Sequence, residues 1–295
     1  MKCYICRREE AVVRIEGKNY CKDCFLKLYE KRVEKVIKKW KLIENGDRVM
    51  VALSGGKDSA SMLYFLNKYK KAVDFELEAM FIHLWIPEYS DLALEKSKEL
   101  TKMLGIKLHI VDIKKGTGKT LIEIARSNRR RAICSICGIV KRYYMNKHPR
   151  ERGFNKIATG HNMDDILEFF IKNFIDRNFE WNDKLKPIVP STHPKLLTKI
   201  RPLYECSNVE NYYYAKFNLL PFIESKCPFS KISKWKNIVE CFDTNIPGSK
   251  RQFTRTIEEL NFSVKEPEYK QCKICGELTT SKNGICSFCK LIHEN

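Results

Sequence analysis

The sequence predicts an α/β fold: a doubly wound, mainly parallel sheet with a small cysteine-held ribbon at each end. Three observations predict it. Short apolar runs alternate with stretches whose apolar residues recur at helical spacing, as strands and helices alternate in a parallel sheet. One of these runs, Val49 to Leu53, ends in Ser54-Gly55-Gly56-Lys57-Asp58-Ser59 and is followed by a helical pattern from Ala60 to Leu66. Paired cysteines, Cys3-x-x-Cys6 with Cys21-x-x-Cys24 and Cys272-x-x-Cys275 with Cys286-x-x-Cys289, bracket the chain.

With 295 residues there is room for one sizeable core or two, plus small appendages. Fifty-five basic residues against 36 acidic leave a net charge of +19, which favours a polyanionic partner, nucleic acid first. No apolar stretch reaches the roughly 20 residues that span a bilayer, and Met-Lys-Cys-Tyr opens without a signal pattern, so the expectation is a cytoplasmic protein without a membrane partner. Thirteen cysteines, ten of them in Cys-x-x-Cys pairs, point to metal in that setting rather than to disulfides.

Taken in order, residues 1–26 read as an N-terminal zinc ribbon. Four thiolates close a tetrahedral site, and a segment this small has little other core. Unliganded thiols and a redox dithiol explain the second pair less well. Residues 27–46 read as a linker helix, on the helical pattern that runs from Phe25 to Glu44, and 47–265 as the central domain. Its first turn lies between strand and helix, where two glycines allow close backbone approach and a helix start offers N–H groups to phosphate. A Walker loop requires Ser or Thr after the Lys, and Asp58 stands there. The pattern resembles instead the PP-loop of ATP pyrophosphatases, which cleave ATP between the α and β phosphates.

Phe75 to His83 reads as the second strand, Ser90 to Leu104 as a helix capped by Ser90 and closed by Gly105, and Lys107 to Val111 as the third strand. Ligands of such sheets sit beyond the strand C-termini, which places His83 near a nucleotide, although a lone His is more often packing. From Arg126 to Lys156 ten basic residues face Glu151 alone, with Tyr143 and Tyr144 interleaved, the density that a phosphate backbone requires. The run encloses Cys134 and Cys137. Lys156 to Gly160 is the expected fourth strand, followed by Asp164-Asp165 and a helix from Ile166 to Ile175. Carboxylates there can be caps; at a strand C-terminus a magnesium or nucleotide role is preferred. Cys134, Cys137 and the distant Cys227 are one thiolate short of a tetrahedral zinc site but suffice for an iron–sulfur cluster with one iron open. The basic residues Lys250, Arg251 and Arg255 of a helix from Ser249 to Leu260 read as RNA contacts or plain surface. Residues 266–295 make the second zinc ribbon, leaving Cys206 and Cys241 as ordinary thiols. Two four-thiolate zinc sites lower the charge only to about +15.

Taken together, the ribbons, the Ser54–Ser59 loop, Cys134/Cys137, Gly160-His161-Asn162 with Asp164-Asp165, Arg201-Pro202-Leu203 and Cys227-Pro228 resemble the TtuA-type tRNA 2-thiouridine synthetases over nearly the whole chain. The resemblance implies ATP-dependent exchange of a uracil 2-oxygen for sulfur. ATP is then held by Ser54, Gly55, Gly56, Lys57, Asp58 and Ser59 with the main chain near Ala52 and Gly160. Asp58 and Asp165 assist Mg²⁺, Lys141 neutralises developing charge, and Cys134, Cys137 and Cys227 hold a [4Fe-4S] cluster that binds sulfide. A cysteine-persulfide route uses the same residues. The resemblance also implies tRNA as partner, sulfur from a ubiquitin-like thiocarboxylate carrier or free sulfide, and a homodimer. A cytidine thiolase and a non-catalytic zinc-ribbon RNA-binding protein are the rival readings; the wobble and T-loop uridines are not separated.

Overall fold

The computed structural model describes residues 1–230, 234–262 and 268–293. An antiparallel hairpin, β1 (Val13–Ile15) and β2 (Lys18–Tyr20), turns through Glu16-Gly17, where Gly17 takes a φ of +76°. Helix α1 (Lys22–Lys39) starts inside the second cysteine pair, ahead of the expected Phe25, and stops short of Glu44. Then follow β3 (Arg48–Leu53), α2 (Lys57–Tyr69), β4 (Glu76–His83), α3 (Tyr89–Leu104) and β5 (Leu108–Asp112). Short α4 (Ile113–Thr117) and α5 (Leu121–Ser127) lead to α6 (Ile133–Arg150), β6 (Lys156–Thr159) and α7 (Met163–Ile175). After them come α8 (Phe179–Asn182), β7 (Ile188–Val189), β8 (Thr198–Ile200) and α9 (Asn208–Phe217). Helices α10 (Lys234–Asn245) and α11 (Ser249–Glu259), the hairpin β9 (Lys270–Gln271) and β10 (Leu278–Thr279), and α12 (Ser287–His293) complete the chain. The expected boundary between 265 and 266 lies outside the described residues.

The central sheet runs β5-β4-β3-β6-β8-β7, parallel except for β7. The chain moves outward from β3 through β4 to β5, then crosses to β6 and β8 on the other side, so strand order reverses beside β3. That is where such sheets take their ligands. Alternation sorts the faces. Val49, Val51, Ala158 and Ile200 pack with Met62, Leu66, Ile166 and Leu167 of α2 and α7, while Met50, Met80 and Ile157 pack under Tyr144 and Met145 of α6.

Two caps differ from expectation. Glu88, not Ser90, is the N-cap of α3, and the Ser90 hydroxyl instead accepts from the Ile86 N–H at 3.0 Å. Asn162 caps α7 in a reciprocal box with Asp165, so the helix begins at Met163 rather than Ile166. Gly105 closes α3 as expected, in the left-handed conformation.

The two ends dock on opposite layers. On one side Phe25 of α1 packs edge-on against Tyr213 and Phe217 of α9, and Arg251 of α11 bonds Glu16 (2.7 Å) and Glu210 (3.1 Å). Arg32 joins the same pair of acids. At the other end Phe288 stacks on Tyr143 of α6 with 3.8 Å between centroids, and Arg150 grips Glu277 with two bonds of 2.9 and 2.6 Å. Several residues of the expected RNA footprint are therefore structural: Arg150 holds the ribbon, buried Lys156 pairs with Asp47 at 2.7 Å, and Lys250, Arg251 and Arg255 all pair inward with acids. Arg126, Arg129, Arg130, Arg131, Arg142 and Arg152 remain exposed. Truncating Phe25, only 1% exposed, to Ala opens a cavity between α1 and α9 and is expected to cost about 3–5 kcal/mol in urea unfolding.

Candidate active site

The loop from Ser54 to Ser59 links β3 to α2, with Gly56 as the helix N-cap. The unpaired N–H groups of the first turn of α2 therefore lie beside the loop. Gly55 has a φ of +77°, and a Cβ there would stand 2.7 Å from the Ala93 Cα, so neither the conformation nor the space admits a side chain. Buried Ser59 ties the loop to itself, donating to the Gly56 carbonyl (3.0 Å) and accepting from the Ser54 N–H (3.2 Å). Gly160, where β6 ends, would bring a Cβ to 3.1 Å from the Ser59 nitrogen. Ala52 joins these strands, registered with Met80 on one side and Thr159 on the other.

Beside the loop a cluster of polar side chains fixes Asp58. Its Oδ1 accepts from Asn162 (3.1 Å) and Asn211 (2.8 Å), and Lys57 Nζ donates to both Asp58 oxygens and to Asn208 Oδ1. Asp165 faces this cluster. Burial raises its carboxyl to about 7, the negative charges of Asp58 and Asp164 adding to the effect and the Asn162 N–H offsetting part of it. A cation beside Asp58 and Asp165 would restore the ionised form. Among the described residues these acids are not part of a close three-ligand set. Asp164 does not share that role: it holds Lys250 Nζ at 2.8 Å and the Asn208 N–H at 2.6 Å, bracing α7 to α11 and α9.

The cysteine cluster adjoins the loop. The Ile223 N–H donates to the Gly55 carbonyl at 2.8 Å, which hooks the segment carrying Cys227 onto the phosphate loop. Cys134 and Cys137 lie on the first turns of α6, and Cys134 Sγ contacts the Phe229 carbonyl at 3.3 Å. Burial raises the Cys137 thiol, and Lys141, one turn along, works against that rise. The sulfurs of Cys134, Cys137 and Cys227 do not all fall within 4.8 Å of one another, whereas each terminal quartet does. In the quartets Cys6 and Cys21 stand 3.9 Å apart, and Cys275 and Cys286 3.8 Å, the sulfur spacing of a tetrahedral ion with bonds near 2.3 Å. Cys227 and Cys134 are still near enough to Cys137 to raise its thiol by their charge, a set looser than one tetrahedral ion takes.

His83 ends β4 and is buried, but its Nε2 is committed to Asp91 at 3.0 Å. His161 bonds Thr159 Oγ1 and is driven down to about 4 by burial and by Arg201, Lys199 and Lys141, so it is neutral at physiological pH. Cys206 is buried in the core and Cys241 exposed, as expected of thiols outside the metal sets.

A family model described as a PP-loop domain matches residues 26–228. The tRNA-5-methyluridine(54) 2-sulfurtransferase of Pyrococcus horikoshii is 37% identical over 98% of this chain and 93% of its own length. The Thermotoga maritima protein of that name is 34% identical over 99% and 96%. The chain belongs to the TtuA-type tRNA sulfurtransferases of the PP-loop family. The solved U34-tRNA thiolase NcsA from Methanococcus maripaludis, with its [4Fe-4S] cluster, superposes with a TM-score of 0.83 at 31% identity, covering 99% of this chain and 95% of that one. The enzymatic nature of this family sets aside the reading as a non-catalytic scaffold.

Sequence reading missed Asn208 and Asn211. Ser207-x-x-Glu210 is a capping box that starts α9, and from that start the two asparagines, three residues apart, share a helix face. Two outcomes follow from this geometry. Alanine at Gly55 introduces left-handed strain of about 1–3 kcal/mol besides the clash, so ATP affinity measured by calorimetry is expected to fall about tenfold or more. In nucleotide-free protein, native Asp165 keeps a proton that the unfolded chain has released above its ordinary pKa near 3.8. Stability therefore declines as pH rises from about 4 through 7, and Asp165→Asn should flatten that decline in urea titrations at successive pH values.

Proposed function

We propose that the chain replaces the 2-oxygen of a tRNA uridine with sulfur, using ATP to activate the oxygen. The observation that carries this reading is the Ile223–Gly55 hydrogen bond, which joins the cysteine segment to the phosphate loop. An activating site and a sulfur site thus share one wall.

In this mechanism the N–H groups at the start of α2 and Lys57 bind the phosphates, with Lys57 exchanging its bonds to Asp58 and Asn208 for phosphate oxygens. Asp58 and Asp165 would hold Mg²⁺, which would offset the charge of the phosphates. The uracil 2-oxygen attacks the α-phosphorus as the bond to the β-phosphate breaks, and pyrophosphate leaves. Lys141 stabilises the negative charge that builds during transfer. A cluster held by Cys134, Cys137 and Cys227 would supply, when bound, an iron that presents sulfide to the activated base. Sulfur then bonds C2, the C2–O bond breaks, and AMP departs with the former uracil oxygen; one proton is released and no electrons change hands overall. Zn²⁺ fits the terminal quartets, where it replaces a core the ribbons are too small to build.

Sulfur from free sulfide or a ubiquitin-like thiocarboxylate carrier, a homodimeric state and a cytoplasmic setting belong to the same reading. The last agrees with relatives named cytoplasmic tRNA 2-thiolation protein 1, such as that of Xenopus laevis. No helix among the described residues is long and apolar enough to cross a membrane.

Mass spectrometry of tRNA nucleosides from a deletion strain tests the function. Loss of 2-thiouridine or its 5-methyl form, restored by the wild-type gene and not by a Cys137→Ser variant, is the expected result, and mapping the sulfur separates position 54 from 34. Loss of 2-thiocytidine instead would assign the cytidine reading, and unchanged thiouridine in a strain without a paralogue would sink both. Active enzyme purified without oxygen should contain iron; iron-free active enzyme would favour the persulfide route.

A further inference from the structure

Most buried cations of this protein are matched by acids: Arg32 and Arg251 by Glu16 and Glu210, Lys156 by Asp47, Lys250 by Asp164. One group is not. Strand β8 pairs with β6 so that Lys199 stands opposite Ile157, on the sheet face covered by α6. Arg201, two residues on and just past the strand, continues the same alternation level with Thr159. Lys141 and Arg142 of α6 complete the group, and the Arg142 guanidinium lies over Gly138, one residue past Cys137.

Among the described residues no carboxylate lies within 4.0 Å of Lys141, Arg142, Lys199 or Arg201, and no acceptor takes a hydrogen bond from Lys199 Nζ. Arg201 is anchored by the carbonyls of Lys184 and Lys186, while its Nε is buried without a partner. Lys199 is half-buried; burial, then the charges of Arg201, Arg142 and Lys184, lowers its ammonium to about 8. An arriving anion relieves that mutual repulsion.

We propose that Lys199, with Arg142 and Arg201, forms a subsite for the backbone phosphate of the tRNA nucleotide undergoing modification. The alternative source of phosphate is ATP, whose phosphates lie at the N-terminus of α2 in the proposed mechanism. Helix α2 covers the opposite face of the sheet, and β8 lies two strands from β3, about 10 Å away at the usual spacing. Arg142 lies instead over Gly138 beside Cys137, and Arg201, Lys199 and Lys141 all act on His161 just past β6, so the group sits on the α6 side of the sheet, to which the proposed function brings the uridine. This inference rests on the proposed function, and it gives a sequence-independent anchor to a base that must leave its stack to reach the site.

The test uses the full chain, purified without oxygen, with an unmodified tRNA transcript. Lys199→Ala and Arg142→Ala, separately and together, should weaken tRNA binding and lower the slope of log Kd against log salt by about 0.7–0.9 for each cation removed from a phosphate. Lys199→Arg should restore the slope. Affinity for Mg-ATP and the circular dichroism spectrum should stay at wild-type values, and KM for tRNA should rise more than kcat falls. An unchanged slope in the double variant, with wild-type enzyme thiolating normally, would overturn the subsite. A loss of ATP or pyrophosphate affinity at constant tRNA slope would also overturn it, by assigning the cations to the nucleotide. Arg142 is exposed on its helix, so Arg142→Ala provides a reading even if Lys199→Ala folds poorly. Failure of the wild type to thiolate would strike the proposed function, and the slope comparison would still judge the subsite.

Discussion

The carboxylate of Asp58 is held by Lys57 from its own helix, by Asn162 from the start of α7 and by Asn211 from α9. Asn211 in turn accepts from the fully buried hydroxyl of Tyr29 on α1, at 2.7 Å. Four helices thus converge on one acid: Lys57 and Asp58 keep 24% and 27% of their side chains exposed on the phosphate side, while Asn162, Asn211 and Tyr29 behind them are buried with no water to fall back on. A buried network of this kind tolerates one arrangement, because any shift leaves a donor or acceptor unpaired. The positions of α1, α2, α7 and α9 are fixed together by it, and with them the distance between the phosphate loop and Asp165.

Much of this was legible in sequence where the chemistry requires particular residues close together in the chain. Gly55 and Gly56 announce a backbone approach, and the cysteine pairs announce metal, because no commoner purpose needs those types at those spacings. The parallel sheet followed from apolar runs that alternate with helical patterns. What stayed hidden depends on partners far apart in sequence. Asp164 and Asp165 are adjacent and chemically identical, yet Lys250, 86 residues beyond Asp164, makes the first a brace and leaves the second facing Asp58. Lys250 and Arg251 looked like surface cations for the same reason. Strands β7 and β8 have two and three residues, too few to show a period.

The ribbons at the two ends serve different layers. The C-terminal one bears on α6 through Phe288 and Glu277 and so supports the helix that carries Cys134, Cys137 and Lys141. The N-terminal one bears on α11 through Glu16 and Arg251, which also grips Glu210 of α9, and α9 carries the asparagines around Asp58. Each cysteine-rich end is positioned to steady one half of the chemistry.

The clasp between Glu16 and Arg251 spans 235 residues of sequence, and the pairs Lys39–Glu258 and Arg32–Glu210 span 219 and 178. During synthesis the first ribbon and α1 emerge long before their charged partners exist. Until α9 emerges, α1 has nothing to settle against and Arg32 lacks Glu210; Arg251, the second cation for Glu16, comes later still, in the last quarter of the chain. Closing contacts of such range is slow, so the nascent protein passes through a stage with this apolar flank open. A chain that stalls before Arg251 has Arg32 alone to match Glu16 and Glu210, and without α11 that shortfall marks it as unfinished.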